Sequence, residues 1–275
     1  MSADRGGPGA LAPDDDNPAV ADVEVRLPSD VSLGQDQEWC EVRWNGTTER
    51  VRFHDYDRIF SIPGLYELLF YDMLGCTSPE VVTTLLGEEL DSEGVDPAAL
   101  AVLDLGAGNG MVGEELARIG IEWITGIDLI EEAREAAERD RPDLYHDYFV
   151  LDIAAMSPEM RSQLEQQGFN CLAIVAALGF GDIPTAAFLA AYGLIAPGGW
   201  IAFNIKKDFL DGADGTGFSG LLRQMLEDGA MEELTRRGYR HRLSSKGQGL
   251  EYVAIVARKH RDFDPERTSL PDPAS

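Results

Sequence analysis

The hydrophobic and polar positions follow two periods along the chain, and these periods divide it into segments. From Leu100 onward, short apolar runs alternate with stretches in which apolar residues recur every three or four positions. The first run, Ala101–Leu105, lacks polar alternation, as expected for a parallel strand buried on both faces. Val112, Leu116 and Ile119 then recur with helical spacing. This pattern predicts an α/β sheet with helices on both faces.

The same pattern continues to the end of the ordered region. Strands are predicted at Ala101–Leu105, Trp123–Ile127, Tyr148–Asp152, Cys171–Leu178 and Trp200–Ile205. Leu221–Arg237 is predicted to be helical, and Tyr239–Ser244 and Tyr252–Arg258 are predicted to close the sheet as a hairpin. The predicted fold class is a Rossmann-like, doubly wound, seven-stranded mixed sheet, in which the hairpin inserts one antiparallel strand.

A hairpin and a helical cap are predicted before this sheet. Trp39–Trp44 and the residues around Val51 alternate on either side of Asn45-Gly46, which is a strong hairpin signal. A helix over Ile62–Leu74 follows and contains Tyr66. We expect these elements to cover the substrate-binding site.

The two ends of the chain differ from the rest in composition. Residues 1–36 are rich in proline and aspartate and have almost no bulky apolar side chains, which predicts a disordered acidic tail. Residues 261–275 are predicted to be a flexible tail for the same reason. The chain therefore divides into these tails, a hairpin-and-cap segment over residues 37–76 and a main domain over 77–260.

The net charge of the chain limits the kinds of molecule that it is expected to bind. The chain has 23 Lys and Arg against 49 Asp and Glu, a formal net charge of −26. Such a surface repels phosphate backbones and anionic lipid, which argues against nucleic-acid and membrane partners. A small-molecule substrate is expected, and a basic protein substrate stays open.

The cysteines and histidines of the sequence do not indicate a disulfide framework or a metal site. Cys40, Cys76 and Cys171 are far apart and odd in number, so they predict a reducing compartment and no disulfide framework. The four histidines are scattered, and no metal site is expected. The start of the chain lacks a secretory pattern and no apolar run is long enough to span a bilayer, so a cytoplasmic location is predicted. The oligomeric state is not indicated.

The candidate chemistry lies at the end of the first predicted strand. Val102–Gly110 reads V-L-D-L-G-A-G-N-G, so a buried strand leads into three glycines and then directly into a helix. Glycines permit positive φ and a close approach of the backbone to a ligand. Asp128 ends the second strand 22 residues past Gly106, where a carboxylate can accept hydrogen bonds from a ribose diol. The pattern predicts a nucleotide-type cofactor.

Two cofactor classes share this pattern. Gly108, Gly110 and Gly113 satisfy the dinucleotide fingerprint, so a nicotinamide-dependent oxidoreductase is one alternative. Asp104, however, would face a pyrophosphate unfavourably and a sulfonium or ammonium group favourably. Asp152 ends the third strand, where it can meet an adenine amino group. These acids favour a cationic sulfur nucleoside.

With these motifs the sequence resembles the class I S-adenosylmethionine-dependent methyltransferases. The matching stretches are Asp104–Gly110, Gly126–Asp128, Val150–Ile153 and Leu194–Ile201. The run Ala176–Pro184 and the pair Tyr71-Asp72 resemble, more narrowly, the subgroup related to the Williams–Beuren-syndrome methyltransferase-like proteins. The resemblance implies S-adenosyl-L-methionine as cofactor. It implies these cofactor-binding residues: Asp104, Gly106, Ala107, Gly108, Gly110, Asp128, Leu129, Asp152, Ile153, Ala176 and Ala177.

The resemblance also implies a reaction. A methyl group passes from the sulfonium to a nucleophilic O, N, S or C atom of a small molecule by in-line displacement. No catalytic residue is predicted, because the activated cofactor mainly requires an aligned nucleophile. Candidate substrate-binding residues are Phe180, Asp182, Asn204, Lys206, Tyr66 and Tyr71. The alternatives are the nicotinamide-dependent oxidoreductase and an inactive scaffold that binds the cofactor.

Overall fold

A computed structural model of the protein describes residues 23–28, 34–178, 183–210 and 217–265. The strands are β1 (Glu24–Arg26), β2 (Trp39–Trp44), β3 (Thr47–Arg52), β4 (Ala101–Leu105), β5 (Trp123–Asp128), β6 (Asp147–Val150), β7 (Cys171–Ile174), β8 (Trp200–Lys206), β9 (Met231–Leu243) and β10 (Gly249–Lys259). The helices are α1 (Tyr56–Ser61), α2 (Leu65–Glu67), α3 (Ser78–Glu93), α4 (Met111–Arg118), α5 (Glu131–Asp140), α6 (Pro158–Glu165), α7 (Thr185–Leu194) and α8 (Phe218–Glu227). A π-helical segment, Leu68–Met73, continues α2.

Seven strands form the larger sheet, in the order β6-β5-β4-β7-β8-β10-β9. The pairs among β4 to β8 are parallel, whereas β10 runs antiparallel to both β8 and β9. The predicted seven-stranded mixed sheet is therefore confirmed, including the antiparallel strand that the closing hairpin inserts.

Both faces of this sheet are buried, which explains why its strands lack polar alternation. Val102 of β4 packs with Leu86 of α3 and Leu116 of α4 on one face. Leu103, the next residue, packs with Phe188 of α7 on the other face. The chain moves outward from β4 to β5 and β6 and returns to β7 on the other side of β4. Ligands of open α/β sheets bind at such a reversal, beyond the carboxyl ends of the strands.

A three-stranded antiparallel sheet, in the order β1-β2-β3, lies before the main domain. Together with α1, α2 and the π-helical segment it forms a unit that we call the cap. Strand β1 falls inside the stretch predicted to be disordered, and a 3-10 turn over Gln35–Gln37 begins at its end, so that prediction is wrong for residues 23–28 and 34–36. Val23, Val25 and Leu27 alternate and pack against the buried core of the cap. Three apolar side chains suffice here because β2 offers a partner, with Val25 opposite Val42.

Two further predictions on secondary structure are corrected. The predicted helix Leu221–Arg237 ends early, because Gly229 adopts a left-handed φ of 71° after α8 and the chain then enters β9. Residues 231–237 pair with β10 instead of turning into a helix. The predicted helix Ile62–Leu74 is also interrupted, because Gly64 has a φ of 74° between α1 and α2.

Candidate cofactor and acceptor site

A cavity of about 480 Å³ lies between the carboxyl ends of the parallel strands and the cap. Four exits of the large sheet line it: Gly106–Asn109 after β4, Asp128–Ile130 at β5, Leu151–Ile153 after β6 and Val175–Ala177 after β7. The cap contributes aromatic side chains on the opposite side. The cavity is therefore placed where the reversal of strand order predicts a ligand.

The glycines of the turn after β4 are required by its geometry. Gly106 and Gly108 have φ values of 75° and 54°, in the left-handed region that favours glycine. A Cβ on Gly106 would lie 3.2 Å from the Cβ of Ala177, and one on Gly108 would lie 3.0 Å from Cζ of Phe60. The turn therefore leaves no room for side chains and exposes its backbone to the cavity. Gly110 has a φ of 91° at the start of α4 and does not itself line the cavity.

Asp128 holds this turn in place. One carboxylate oxygen accepts a hydrogen bond from the Gly108 amide at 2.9 Å, and the other accepts from the Leu129 amide at 2.7 Å. Burial raises the pKa of Asp128, and the backbone amides oppose that rise. Because Asp128 also lines the cavity, its carboxylate can still accept from a hydroxyl group there.

Asp104 occupies a different environment from the one that the resemblance implies. Its side chain is fully buried and does not line the cavity. Tyr145 donates a hydrogen bond to Oδ2 at 2.9 Å, and Oδ1 has no hydrogen-bond partner among the described residues. Burial raises the pKa of Asp104 to about 7, the Tyr145 hydroxyl opposes the rise, and the nearby Asp128 adds to it. Its contact with the cofactor amino group stays a prediction.

The remaining predicted cofactor residues lie at the cavity. Leu129 exposes 64% of its surface at the exit of β5, where it can pack against a flat group. Ile153, after β6, is buried and also lines the cavity. Asp152 lines the cavity and also accepts a hydrogen bond from the Ala154 amide at 2.9 Å, so it caps the turn that follows β6. Ala107, Ala176 and Ala177 also line the cavity.

Ala176 is held in an unusual conformation. Its φ is 59°, which is uncommon for a residue other than glycine. Its amide donates to Oδ1 of Asn204 at 2.7 Å, and Nδ2 of Asn204 donates to Ser78 and Tyr239 at 3.0 and 2.6 Å. The fully buried Asn204 thus ties the exit of β7 to α3 and β9.

The predicted substrate-binding residues differ in where they lie, and their contact with a substrate stays a prediction. Tyr66 and Tyr71 line the cavity, as expected of residues that contact a substrate. Asn204 and Lys206 do not line it, which corrects that expectation. Asn204 turns inward to Ala176, and Lys206 forms an ion pair with Asp208 at 3.6 Å. Phe180 and Asp182 lie outside the described residues.

Sequence reasoning missed several residues of the cap that line the cavity: His54, Tyr56, Asp57 and Phe60. Tyr56 and Phe60 stand four residues apart on α1 and stack at a ring distance of 6.0 Å. Their helical spacing is the signal that could have found them. Asn109, also missed, is nearly fully buried and donates to Glu67 of α2 at 3.2 Å, which links the turn to the cap.

Within the ranges that the structure describes, no group of three or more His, Cys, Asp or Glu side chains could hold a metal ion. In the same ranges, no helix has the length and apolar character needed to cross a bilayer.

Comparison with known proteins places the central part of the chain in a family. Residues 103–203 match the family described as "Methyltransferase domain". A ubiquinone biosynthesis O-methyltransferase of Albidiferax ferrireducens is 31% identical over 113 residues, which are 39% of this chain and 41% of that protein. The corresponding protein of Thiobacillus denitrificans is 31% identical over 107 residues, 39% of this chain and 44% of that protein. The chain thus spans less than half the length of these relatives.

Among solved structures, the fold is similar to that of the N-methyltransferase NodS of Bradyrhizobium japonicum in complex with S-adenosyl-L-homocysteine. The TM-score is 0.50 at 18% sequence identity, and the match covers 75% of this chain and 97% of that one. At this identity the likeness concerns the fold alone.

Proposed function

The chain carries a class I S-adenosylmethionine-dependent methyltransferase domain, and from this premise we propose that it transfers a methyl group from that cofactor to a nucleophilic atom of a small molecule. The match over residues 103–203 confirms the prediction of the domain class and its cofactor. Neither the nicotinamide-dependent oxidoreductase nor the inactive scaffold is favoured by any of the comparisons. The narrower resemblance to the Williams–Beuren-syndrome methyltransferase-like subgroup stays a prediction.

One observation carries this proposal: the glycine turn and Asp128 converge on a single cavity beyond β4 and β5. Its volume of about 480 Å³ lies in the usual range for small-ligand sites. Asp57, Asp128 and Asp152 all line it, and among the residues that the structure describes no lysine or arginine does. This lining suits a cofactor with a sulfonium and an ammonium group better than one with a pyrophosphate.

The residues present fit S-adenosylmethionine. Asp128 would accept hydrogen bonds from the ribose, Leu129 and Ile153 would pack on the adenine, and the turn at Gly106 and Gly108 would pass the methionine part. When bound, the cofactor supplies an activated methyl group. The protein then needs to align the nucleophile and exclude water, and alignment alone can lower a barrier by about 7–11 kcal/mol.

The cap supports this role, because it supplies a wall of rings opposite the turn. Phe60 and Tyr66 lie 4.9 Å apart between ring centres, and Tyr71 lies 6.1 Å from Tyr66. Burial raises the pKa values of both tyrosines, so their hydroxyls stay uncharged at neutral pH. The wall therefore keeps water out without adding charge near the transferred methyl group.

We infer further that residues 77–260 form the catalytic domain, that the acceptor is a small molecule, and that the protein works in the cytoplasm. The acidic surface and the lack of paired cysteines support these inferences. The relatives carry names that refer to O-methylation and the structural neighbour one that refers to N-methylation, so the methylated atom is not fixed by similarity.

The test is the affinity of Asp128→Asn for S-adenosylhomocysteine, measured by calorimetry. Asparagine keeps one acceptor oxygen for the turn and removes the charge, and hydrogen bonds to charged groups contribute about 1.5–3 kcal/mol. We expect the dissociation constant to rise about tenfold or more. Glu135→Ala is the control, because it removes an exposed charge from α5 outside the cavity. An unchanged affinity in Asp128→Asn contradicts the proposed site.

A further inference from the structure

A small recess of about 40 Å³ continues the cavity beyond Ala176. Ala176, His54, Tyr56 and Tyr66 line both spaces, so the recess opens next to the exit of β7. Most of its other lining residues come from the cap and its flanking turns or from the closing hairpin, and Leu178 follows β7: Gln35, Phe53, Phe70, Cys76, Leu178, His241, Arg242 and Tyr252. The recess is thus formed where two parts of the chain meet beside the cofactor site.

His241 contributes a hydrogen-bond donor to the recess. Its Nδ1 lies 2.6 Å from Oγ of Ser78, which lies 2.6 Å from the hydroxyl of Tyr239. Nδ2 of Asn204 donates to the hydroxyl oxygens of both Ser78 and Tyr239. The hydroxyl protons of these two residues are then both paired when Tyr239 donates to Ser78 and Ser78 donates to Nδ1 of His241.

This arrangement makes Nδ1 an acceptor and leaves the imidazole proton of His241 on Nε2. Burial lowers the pKa of His241 to about 3, so the ring is neutral and carries only that proton. Among the described residues, His241 forms side-chain hydrogen bonds through Nδ1 and not through Nε2, although the residue is only 6% exposed. A donor without a partner is thus left in the lining of the recess.

Gln35 contributes an acceptor to the same recess. Its Nε2 donates to the hydroxyl of Tyr252 at 2.9 Å. Its Oε1 is buried and has no hydrogen-bond partner among the described residues. The side chains of Gln35 and His241 both line the recess. Polar atoms in a protein interior are normally paired, so this acceptor and this donor together indicate a group that satisfies both. A hydroxyl group does so, because it can donate to Oε1 and accept from Nε2.

The charges around the recess favour an uncharged ligand. Arg242 is the one lysine or arginine among the described lining residues, and Glu38 neutralises it at 2.7 Å with both side chains nearly fully buried. Burial raises the pKa of the Cys76 thiol, which therefore stays protonated. The approach to the recess passes the rings of Tyr56 and Tyr66, which suit a flat apolar body.

We propose that this recess binds the hydroxyl group of an uncharged ring compound, which is the methyl acceptor. The inference rests on the proposed function, since it takes the large cavity as the cofactor site. The body of the compound lies against the aromatic wall of the cap, and the hydroxyl lies between Gln35 and His241. Asn204, Ser78 and Tyr239 act as positioning residues, because they fix the His241 tautomer and hold Ala176.

The test compares two isosteric probes, p-cresol and p-xylene, on protein saturated with S-adenosylhomocysteine. Their affinities are measured by ligand-observed NMR titration. A site that hydrogen-bonds a hydroxyl group discriminates strongly against an analogue that lacks it. We expect p-cresol to bind about tenfold or more tightly than p-xylene, and this preference to disappear in Gln35→Leu and in His241→Phe.

Gln37→Leu is the matched control, because Gln37 lies in the same turn as Gln35 and is exposed. It should keep the preference for p-cresol. Equal binding of the two probes, binding of neither probe, or a preference that survives Gln35→Leu overturns the proposal and leaves the recess as a site for water only. If the unaltered protein does not bind S-adenosylhomocysteine, the proposed function itself fails, so the two failures are distinguishable.

Discussion

Three aspartates at strand ends show how surroundings give one residue type three roles. Asp104 is fully buried against Tyr145, Asp128 accepts from the amides of the glycine turn, and Asp152 caps the turn after β6. Only Asp128 and Asp152 line the cavity. The sequence places all three correctly at the ends of strands, but burial and hydrogen-bond partners decide what each can do.

Asp104 should make stability depend on pH. Its pKa is raised to about 7 in the folded protein, and an unfolded aspartate titrates near 4. Between those values the folded state keeps a proton that the unfolded state has released, so protonation stabilises the fold fully below about pH 4 and this contribution is lost as the pH rises through about 7. We expect the free energy of unfolding of the unaltered protein, relative to Asp104→Asn, to fall across this interval in urea titrations.

The control for Asp104→Asn is a variant that removes an exposed carboxylate. Asp143→Asn serves, because Asp143 is exposed and its φ of 61° suits asparagine equally well. Its pH profile should run parallel to that of the unaltered protein. Parallel profiles for Asp104→Asn as well would show that the buried carboxyl does not titrate as described.

At the scale of elements, the cap and the glycine turn form one surface. The ring of Phe60 on α1 lies against Gly108, and Arg139 of α5 donates to the carbonyl oxygen of Phe60 at 3.2 Å. Arg141 joins the cap to α4 by ion pairs with Glu67 at 2.8 Å and Glu114 at 2.7 Å. These contacts fix the distance between the aromatic wall and the turn, and therefore the width of the cavity.

Gly108→Ala tests that fit. The new Cβ would meet Phe60 at 3.0 Å, so the cap or the turn must shift, and we expect weaker binding of S-adenosylhomocysteine. Gly168→Ala is the matched control, since Gly168 has a similar φ of 67° but nothing within 4 Å of the added atom. Both variants carry a similar backbone strain of about 1–2 kcal/mol. Calorimetry should detect a loss of affinity in Gly108→Ala alone, and an equal loss in both variants would assign the effect to strain.

At the scale of the whole molecule, a buried ion pair joins the two sheets. Glu38 precedes β2, and Arg242 lies near the end of β9, with a separation of 2.7 Å between Nη2 and Oε2. Glu38 also accepts a hydrogen bond from the Ser245 amide. Because Glu38 contacts both Arg242 and the Ser245 amide, the pair holds the cap against the closing hairpin and so shapes the recess between them.

Arg242→Met should therefore be strongly destabilising. It leaves the Glu38 carboxylate buried without its cation, and breaking such a pair costs about 3–5 kcal/mol. Urea unfolding followed by tryptophan fluorescence measures the loss, and Glu38→Met added to Arg242→Met should recover part of it. Arg161→Met is the control, since its pair with Glu165 is largely exposed and contributes about 0–1 kcal/mol. A loss no larger than that of the control contradicts the structural role of the pair.

The sequence by itself determined the order of the strands and helices in the main domain, the antiparallel closing hairpin, the glycine turn and its three carboxylates. These features are local: hydrophobic period, glycine position and the spacing of acids along the chain suffice to indicate them. The cavity-lining residues at the strand exits follow from the same rule, because the carboxyl ends of parallel strands meet at one edge.

Only the tertiary structure decided the features that depend on distant partners. Strand β1 exists because β2 pairs with it, and Met231–Arg237 extends because β10 does. Asn204 turns inward to Ala176. Gln35 and His241 line the same recess although more than 200 positions separate them in the sequence. Such contacts bury and pair groups across the fold, and no local period in the sequence records which distant group will be the partner.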